Sequence, residues 1–390
     1  MEKKTRVVEK FDWTLCFILF VFFLTSCATI YSAQTTGQYG DTNYFIRQVL
    51  NYVIGAIIIA VVMIFDNDQY RKLSWYLYGF GIFLLIFLIF APESIAPETK
   101  GAKAWFKIPY LGSVQPSEFM KIFLILTLSK LISDHHEKID YKTLKTDFYL
   151  LMKLGITTLI PLGLIAKEDM GTGLVIIAIL VGMILVSGIT WKIITPIFFI
   201  GASFAAAILY VVIKIPELLD KYFNIDEYKL NRIYSWLDPE SFQSGIGYQL
   251  YKSLQAIGSG LITGKGFGER AVYIPDNHTD FVFSVIGEEY GFIGASIVIG
   301  MFFILIYHLT KTALDTTDPF NTYICVGVIS MITFHVFQNI GMTIQLLPIT
   351  GIPLPFISYG GSAMMGNMFA MGLIFSIRYH HKTYMFSSNA

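Results

Sequence analysis

Ten apolar runs, each about as long as a bilayer is thick, constrain this chain more than any other feature. Runs of roughly 17–25 residues can cross the ~30 Å hydrocarbon layer as helices. The runs lie near 13–33, 45–65, 74–91, 115–133, 149–166, 172–188, 190–213, 280–308, 321–346 and 360–378. The fifth to seventh are closely spaced, which leaves totals of nine or eleven open. The sequence therefore predicts an all-α polytopic membrane protein in which 1–390 forms a single membrane domain.

The composition agrees with a surface that faces lipid. Hydrophobic residues make up 54% of the chain and charged residues only 14%, and the mean hydropathy is +0.59. Soluble domains contain about a quarter charged residues. A net charge of zero argues against a nucleic-acid partner, which favours a basic face. The three cysteines, Cys16, Cys27 and Cys325, lie in apolar runs and indicate packing instead of disulfides.

The distribution of basic residues predicts the orientation, because cytoplasmic loops carry the excess of Lys and Arg. With the N-terminus inside, the inner tails and short loops hold thirteen: Lys3, Lys4, Arg6, Lys10, Arg71, Lys72, Lys138, Lys142, Lys145, Lys192, Lys311, Arg378 and Lys382. The short outer loops hold four: Lys100, Lys103, Lys107 and Lys167. Both termini are therefore predicted to be cytoplasmic, and 214–279 becomes a large extracellular loop. Within it, 247–257 has helical spacing with one apolar face and is predicted to lie on the membrane surface.

Asp280 is the best single candidate for a catalytic group. Its carboxylate lies where the long polar loop becomes an apolar run, and an ionisable group there is costly to dehydrate. A structural explanation competes, because Asn277 or Thr279 can cap the helix and an acid suits its first turn. Ser284 and Glu288 follow at steps of four and can share one helix face with Asp280. Glu288, deep in the span, needs a partner such as a lysine or a hydrogen-bond network.

The start of the fourth run carries a second group of polar side chains. Pro116 suits the first helical turn, where its missing N–H costs nothing. Glu118 and Lys121 are three residues apart and can form an internal pair. Alternatively, Lys121 faces a cavity of the outer leaflet with Gln115 and Ser117 and binds an anionic group. Both interpretations stay open at this point.

Two further segments are candidates for substrate contacts. Trp105 is either an interfacial anchor or a platform for a sugar ring, in which case Lys103 adds a phosphate contact. The loop 351–362, which includes Ser358, is rich in helix breakers at membrane depth. Irregular backbone there is tolerated only when it is buried in protein or lines a wet cavity, so this loop is predicted to shape a pocket.

Nucleotide and zinc chemistry are not indicated. Gly266 follows Lys265 where a phosphate-binding loop has Ser or Thr. The histidine pairs at 135–136 and 380–381 have no thiol or acid at zinc-ligand spacing.

Several of these motifs together resemble one family, the SEDS proteins (shape, elongation, division and sporulation), which are polytopic peptidoglycan polymerases of bacteria. The resemblance covers essentially the whole chain. It rests on these residues, in order: Ala104-Trp105, Gln115-Pro116-Ser117-Glu118 with Lys121, Asp169-Met170-Gly171-Thr172, Arg232, Trp236-Leu237-Asp238-Pro239, Gly247-Tyr248-Gln249, Gly264-Lys265-Gly266-Phe267-Gly268, His278-Thr279-Asp280-Phe281, Gly287-Glu288-Glu289 and Ser358-Tyr359-Gly360-Gly361-Ser362. Met170 and the dipeptide Pro275-Asp276 depart slightly from the usual pattern. The chain is most similar to the cell-elongation branch.

The resemblance implies a glycosyltransferase that links lipid II disaccharides at the outer face of the bacterial cytoplasmic membrane. The family's essential acid maps onto Asp280. The expected partners are a class B penicillin-binding protein, which cross-links the new strand, and other proteins of the elongation complex. The predicted substrate-binding residues are Trp105, Lys103, Gln115, Ser117, Glu118, Lys121, His278, Thr279, Glu288 and Ser358.

A mechanism can be written for these residues. Polymerisation needs a base for the acceptor hydroxyl and a cation for the departing pyrophosphate. Asp280 is predicted to be the base for the GlcNAc 4-hydroxyl, with partial burial raising its pKa. Lys121, Lys103 or a divalent cation (Mg²⁺ or Mn²⁺) held by Asp280 is predicted to stabilise the leaving group. The metal competes with the base role, because a ligated carboxylate has its lone pairs occupied. No nucleotide is expected, since the donor carries its own pyrophosphate.

Two other classes of function remain open from the sequence. In a lipid flippase or exporter, Glu118, Lys121, Glu288 and the broken spans would line the path. The large outer loop with an acid at its end argues against that, because a flippase needs a path through both leaflets. A non-catalytic scaffold of the wall synthase predicts that Asp280 is dispensable.

Overall fold

The computed structural model describes residues 11–35, 43–98, 102–108, 112–139, 141–214, 227–242 and 246–380. Its helices are α1 Trp13–Gln34, α2 Tyr44–Val62, α3 Asn67–Phe90, α4 Pro116–Lys138, α5 Leu144–Ile165, α6 Met170–Val186, α7 Trp191–Lys214, α8 Glu227–Leu237, α9 Ile246–Ser259, α10 Val282–Asp315, α11 Pro319–Thr343 and α12 Gly361–Tyr379. Two short strands, β1 Phe106–Ile108 and β2 Gly112–Val114, pair in antiparallel register.

The predicted all-α membrane fold is confirmed. Each of the ten apolar runs corresponds to a helix among the residues that the structure describes. Seven of these helices are long and apolar enough to cross a membrane: α1, α2, α3, α5, α7, α10 and α11. The helix α6 is apolar but shorter, with 17 residues. The other two, α4 and α12, are largely buried inside the bundle and carry polar side chains there. The protein is therefore a polytopic helical bundle.

Some helix boundaries differ from the predicted ones because polar residues form the caps. α3 begins at Asn67 instead of 74. The Asp66 side chain accepts a hydrogen bond from the Gln69 backbone N–H, and the Gln69 side chain accepts one from the Asp66 backbone N–H. This capping box satisfies N–H groups that the first turn leaves free. The Thr143 side chain caps α5 in the same way, so this helix starts at Leu144 instead of 149.

The bundle has two ends, which we call the terminal face and the loop face. The terminal face contains the start of α1 and the end of α12. There Asp12 lies 2.7 Å from His308 Nε2 and 3.4 Å from Arg378 Nε, which joins α1, α10 and α12. Burial raises the pKa of the Asp12 carboxyl, but the hydrogen bond from His308 and the charge of Arg378 outweigh it and lower that pKa.

The loop face is the opposite end, where α4, α6, α10 and α12 begin and where α8, α9 and the hairpin β1–β2 lie. The described basic residues of the loops that are predicted to be cytoplasmic all lie toward the terminal face, since the helices alternate in direction. Lys3, Lys4, Arg6, Lys10, Lys100 and Lys382 lie outside the described residues.

The helix α10 differs most from its prediction. Asp280 precedes it in a turn, so it does not share a helical face with Ser284 and Glu288 as predicted. Inside α10 the backbone leaves helical geometry at Gly291 (φ 60°, ψ −156°). The freed groups bond to the loop after α9: Phe292 N donates to Leu261 O at 2.9 Å and Lys265 N donates to Glu288 O at 3.0 Å. An irregular loop thus replaces part of the helix's own hydrogen bonding.

The large loop contains two helices. The predicted helix at 247–257 is confirmed as α9, whose Leu250 and Ala256 pack on Phe281 and Ile349. The apolar face of α9 therefore packs against the rest of the protein. The placement of α9 on a membrane surface stays a prediction. Neither α8 nor the hairpin β1–β2 was predicted from the sequence.

Candidate active site

Asp280 lies in the turn that leads into α10, and its side chain is partly exposed. Its carboxylate is next to Gly351: a Cβ added to that glycine would lie 3.4 Å from Asp280 Oδ2. Gly351 also has φ +73°, a conformation that favours glycine. The loop 351–362 and the turn of Asp280 therefore meet at the loop face.

The turn of Asp280 is tied to that loop by its neighbours. Ser358 Oγ donates to Thr279 O at 2.6 Å and accepts from Leu354 N at 2.8 Å. Tyr359 N donates to His278 O at 2.8 Å. The predicted substrate residues His278, Thr279 and Ser358 are therefore brought together beside Asp280, as parts of the backbone frame that holds it.

His278 also belongs to an aromatic cluster. Its ring centre lies 4.4 Å from that of Tyr44 and 5.5 Å from that of Tyr359. The imidazole is 5% exposed, so it presents little surface to a substrate.

Side chains of α1 and α2 hold the loop 351–362 by hydrogen bonds to its backbone carbonyls. Ser26 Oγ donates to Ile357 O at 2.9 Å, and Gln48 Nε2 donates to Ser358 O at 3.2 Å. The Tyr52 hydroxyl donates to Phe356 O. Its backbone is therefore buried in protein, which is one of the two situations that membrane depth allows.

Asn339 on α11 joins the two segments directly. Its Nδ2 donates to Asp280 O at 2.7 Å and to Ile352 O at 2.8 Å. Asn339 is fully buried. One amide thus fixes the backbone on both sides of the Asp280 carboxylate. Sequence reasoning missed it, because nothing local separates this asparagine from a helix-packing residue.

The start of α6 lies on the same side of the site. Asp169 caps this helix by accepting from Thr172 N at 2.9 Å, and its Oδ2 accepts from Gln115 Nε2 at 2.7 Å. A Cβ added to Gly171 would lie 3.0 Å from Thr350 O and 3.0 Å from Ile352 Cγ1. Gln115 is therefore brought to the edge of the site through Asp169, and a larger residue at 171 would collide with the loop beside Asp280.

The hairpin with Trp105 is fastened to the same edge. Lys103 N donates to Glu168 Oε2 at 3.0 Å, and β2 is linked to α12 because Ser362 Oγ donates to Ser113 O at 3.0 Å. The Trp105 side chain is partly exposed. The Lys103 ammonium donates to Ile89 O at 3.2 Å and to Ala91 O, at the end of α3. Its role as a phosphate contact stays a prediction, and it requires release of these carbonyls.

Glu118 and Lys121 form the internal pair that their spacing allows. Lys121 Nζ lies 2.9 Å from the Glu118 carboxylate and 3.1 Å from His335 Nε2. His335 Nδ1 lies 2.7 Å from Met331 O; because a carbonyl only accepts, Nδ1 carries the proton and Nε2 accepts from Lys121. Lys121 is 1% exposed, so the structure does not place it on an open cavity as the alternative prediction required.

Ser117 adjoins this pair in sequence and is also buried. Its Oγ has no hydrogen-bond partner among the residues that the structure describes. A buried hydroxyl without a partner is unfavourable, which marks this position for a water or a polar group of a ligand.

Glu288 is 1% exposed and has the lysine partner that its depth demanded. Its Oε1 lies 2.6 Å from Lys265 Nζ and accepts from Ala271 N at 2.8 Å and from Val272 N at 3.1 Å. These contacts belong to the protein interior. Direct contact of Glu288 with substrate stays a prediction.

The described residues supply only part of a binding site for a divalent cation. The described residues contain no group of three or more His, Cys, Asp or Glu side chains that could hold a metal. Mg²⁺ often binds through one or two carboxylates plus substrate phosphates. Asp280 fits that pattern as the single protein carboxylate, so a metal here depends on substrate oxygens.

The fold and the site define a polytopic membrane protein with the partly exposed acid Asp280 fixed at the loop face. Residues 8–383 match the profile of the FtsW/RodA/SpoVE family, described as "Cell cycle protein", and the chain belongs to this family. It is 33% identical over 387 residues to a probable peptidoglycan glycosyltransferase FtsW of Trichlorobacter lovleyi, covering 97% of this chain and 95% of that protein. It is 31% identical to the peptidoglycan glycosyltransferase MrdB of Escherichia coli, covering 95% and 94%.

A solved structure shares the fold. The structure reported as "Structural coordination of polymerization and crosslinking by a peptidoglycan synthase complex" superposes with a TM-score of 0.75. The match covers 95% of this chain and 99% of the other, at 24% identity. Most of the described bundle therefore has a counterpart in that structure.

Proposed function

We propose that this protein is a peptidoglycan glycosyltransferase that polymerises lipid II. It transfers the growing glycan from its undecaprenyl pyrophosphate onto lipid II and forms a β-1,4 bond. Two relatives named as such enzymes are at least 31% identical over nearly the whole chain. The observation that carries the proposal is the placement of Asp280: it is a partly exposed carboxylate in a turn fixed by Ser358 and Asn339.

In the proposed reaction Asp280 accepts the proton of the GlcNAc 4-hydroxyl while this oxygen attacks the anomeric carbon of the donor. The bond to the pyrophosphate oxygen breaks, and the pyrophosphate leaves with the bonding electrons. One in-line displacement inverts the anomeric centre. General base catalysis of this kind contributes about 10²–10⁴-fold. The proposal includes a raised pKa of the Asp280 carboxyl, caused by its partial burial. A pH–rate profile tests this part.

The leaving pyrophosphate needs positive charge. Lys103 is the more accessible candidate, since it is partly exposed just before the hairpin and its N–H donates to Glu168 in the turn before α6. Lys121 serves this role only if its buried contact with Glu118 opens. A Mg²⁺ or Mn²⁺ ion held by Asp280 and the phosphates is the third option, and it would supply Lewis-acid stabilisation. No nucleotide is part of the proposal.

The site belongs on the outer side of the cytoplasmic membrane in this proposal, with both termini in the cytoplasm. The basic residues near the terminal face support that orientation. A class B penicillin-binding protein is the proposed partner, together with proteins of the elongation complex. The related solved structure is of a peptidoglycan synthase complex that couples polymerization to crosslinking, which supports such a partner. Cell elongation is the proposed duty among the branches of the family.

Purified protein given lipid II in detergent tests the proposal. We expect glycan strands from the wild type and none from Asp280→Ala. Glu269→Gln is the matched control, because this exposed acid belongs to the same large loop but is not part of the turn that contains Asp280. Strands from Asp280→Ala would remove this acid from the mechanism. No strands from the wild type, alone or with a class B penicillin-binding protein, would favour a lipid carrier or a scaffold.

A further inference from the structure

We propose that Glu288, with Lys265, is a positioning residue that sets the placement of Asp280 by closing the loop in which Asp280 lies. The inference rests on the proposed function for its meaning in catalysis. It assigns Glu288 to the protein's own backbone, in place of a substrate contact.

The contacts of Glu288 carry the inference. A single carboxylate oxygen, Oε1, accepts from Ala271 N at 2.8 Å and from Val272 N at 3.1 Å. These donors lie 17 and 16 residues before Glu288, and Asp280 lies about midway along that stretch. The carboxylate therefore closes a loop of the chain whose far point is the turn of Asp280.

Both ends of this loop are rigid. On one side, α10 from Val282 to Glu289 is fully buried. On the other side, the segment before Ala271 is bonded into the break of α10, where Lys265 N and Gly266 N donate to Glu288 O and Glu289 O at 3.0 Å. With both ends fixed to one helix, a change at Glu288 is transmitted to the turn between them.

Lys265 compensates the buried charge. Its Nζ lies 2.6 Å from Oε1, and Glu288 is 1% exposed. A buried carboxylate without a cation is strongly unfavourable, so the lysine compensates its charge while the two N–H groups define its direction. Lys265 compensates the charge of Glu288, and Glu288 accepts the two backbone N–H bonds. Substitutions can separate these two functions.

The other hydrogen bonds of the turn come from different sides, and Gln249 Nε2 on α9 donates to Pro275 O at 3.2 Å where the turn begins. Asn339 and Ser358 hold Asp280 and Thr279 against α11 and the loop 351–362. They do not restrain the approach at Ala271 and Val272. Glu288 therefore supplies the hydrogen bonds that hold the incoming segment at Ala271 and Val272.

Four variants test the inference through the kinetics of lipid II polymerisation. Glu288→Leu removes the acceptor, and we expect kcat to fall about 100-fold, as for a catalytic group displaced by about 1 Å, with KM changed less than about threefold. Glu288→Gln keeps an oxygen for the two N–H groups and loses about tenfold at most. Lys265→Met, which keeps the acceptor, loses about as much.

The exchanged pair Lys265→Glu with Glu288→Lys is the fourth variant. It restores an ion pair but puts a donor where Ala271 N and Val272 N need an acceptor. We expect its kcat to stay as low as that of Glu288→Leu. Recovery in the exchanged pair would show that only the ion pair matters and would overturn the inference. A rise in KM with unchanged kcat in Glu288→Leu would overturn it in favour of a substrate contact.

Hydrogen–deuterium exchange gives a measurement that does not depend on activity. We expect Glu288→Leu to speed exchange of the amides at 271–281. Glu269→Gln is the matched control, since this exposed acid lies in the same segment and accepts no bond from Ala271 or Val272. Unchanged exchange at 271–281 in Glu288→Leu would overturn the inference. If the wild type made no glycan, the proposed function would fail, while the exchange experiment would still decide the positioning.

Discussion

Single residues of the site fall into two groups: charges that are paired inside the bundle, and the acid Asp280, which is accessible at the edge of the bundle. Lys121 and Glu118 compensate each other, Glu288 is compensated by Lys265, and Asp280 remains partly exposed. Ionised side chains are tolerated at membrane depth when they are paired. Asp280 is therefore an acid that substrate can reach.

The pair of Glu118 and Lys121 gives a prediction about stability. Lys121→Met leaves the buried Glu118 carboxylate without its cation, and we expect the free energy of unfolding to fall by about 3–5 kcal/mol. The double variant Glu118→Gln with Lys121→Met removes both charges, so it should recover much of that loss. Thermal unfolding in lipid nanodiscs measures both.

A double variant as unstable as the single would contradict this account. It would mean that the charge pair itself contributes little and that the packing of the lysine stem against α11 dominates. Lys72→Met on α3 controls for the loss of a lysine that is exposed at the terminal face.

At the scale of elements, α10 and the loop after α9 cross with almost no space between their backbones. A Cβ added to Gly260 would lie 2.0 Å from Gly287 O, and one added to Gly264 would lie 2.1 Å from Glu289 O. A Cβ on Gly291 would lie 2.4 Å from Gly264 N. Close approach of this kind requires glycine, and it allows the loop to hydrogen-bond to the broken helix.

Gly264→Ala should therefore be strongly destabilising. The added Cβ collides with backbone, and φ +81° is itself unfavourable for alanine, so we expect a loss of at least about 2 kcal/mol. Gly258→Ala is the matched control, because open space surrounds that position near the end of α9. Equal thermal stability of the two variants would contradict the close crossing.

The sequence predicts elements whose signal is local. The spans follow from the length of apolar runs, and α9 follows from its apolar spacing. The break at Gly291 lies inside a continuous apolar run, where a single glycine is compatible with a helix. The strands β1 and β2 have three residues each, which is too short for an alternating pattern to stand out. α8 lies inside the predicted large loop, and with 11 residues it is too short to appear as a membrane span.

The sequence identifies the candidate acid but leaves out what holds it. Glu288 is predicted to need a cation, yet Lys265 is one of several basic residues in the loop. Lys121 and His335 are 214 residues apart, so only the packing of α4 on α11 reveals their contact. Asn339 is missed for the same reason. Partners that meet through the fold have no local pattern to predict them.

At the scale of the whole molecule, the terminal face and the loop face differ in structure. The terminal face is closed by ion pairs between helix ends, such as Arg71 with Asp134 and Arg378 with Asp315. The loop face carries the hairpin, α8, α9 and the candidate acid. A bundle closed at one end and elaborated at the other suits chemistry at a single membrane surface.

The proposed orientation predicts which face a reagent reaches. Glu240→Cys lies on the loop face and Thr317→Cys on the terminal face, and both positions are exposed. With Cys16, Cys27 and Cys325 replaced by alanine, a membrane-impermeant maleimide should label the first variant in intact spheroplasts. The second should react only after the membrane is opened. The reverse pattern would place the site in the cytoplasm.

The most direct test compares binding with turnover in Asp280→Asn. This change keeps the size of the side chain and removes the base, so we expect lipid II binding within about threefold of wild type and turnover at least about 100-fold lower. Binding is measured by titration in nanodiscs, and turnover by glycan strand formation in the same preparation. Turnover close to that of the wild type, with binding retained, would contradict the assignment of Asp280 as the catalytic base.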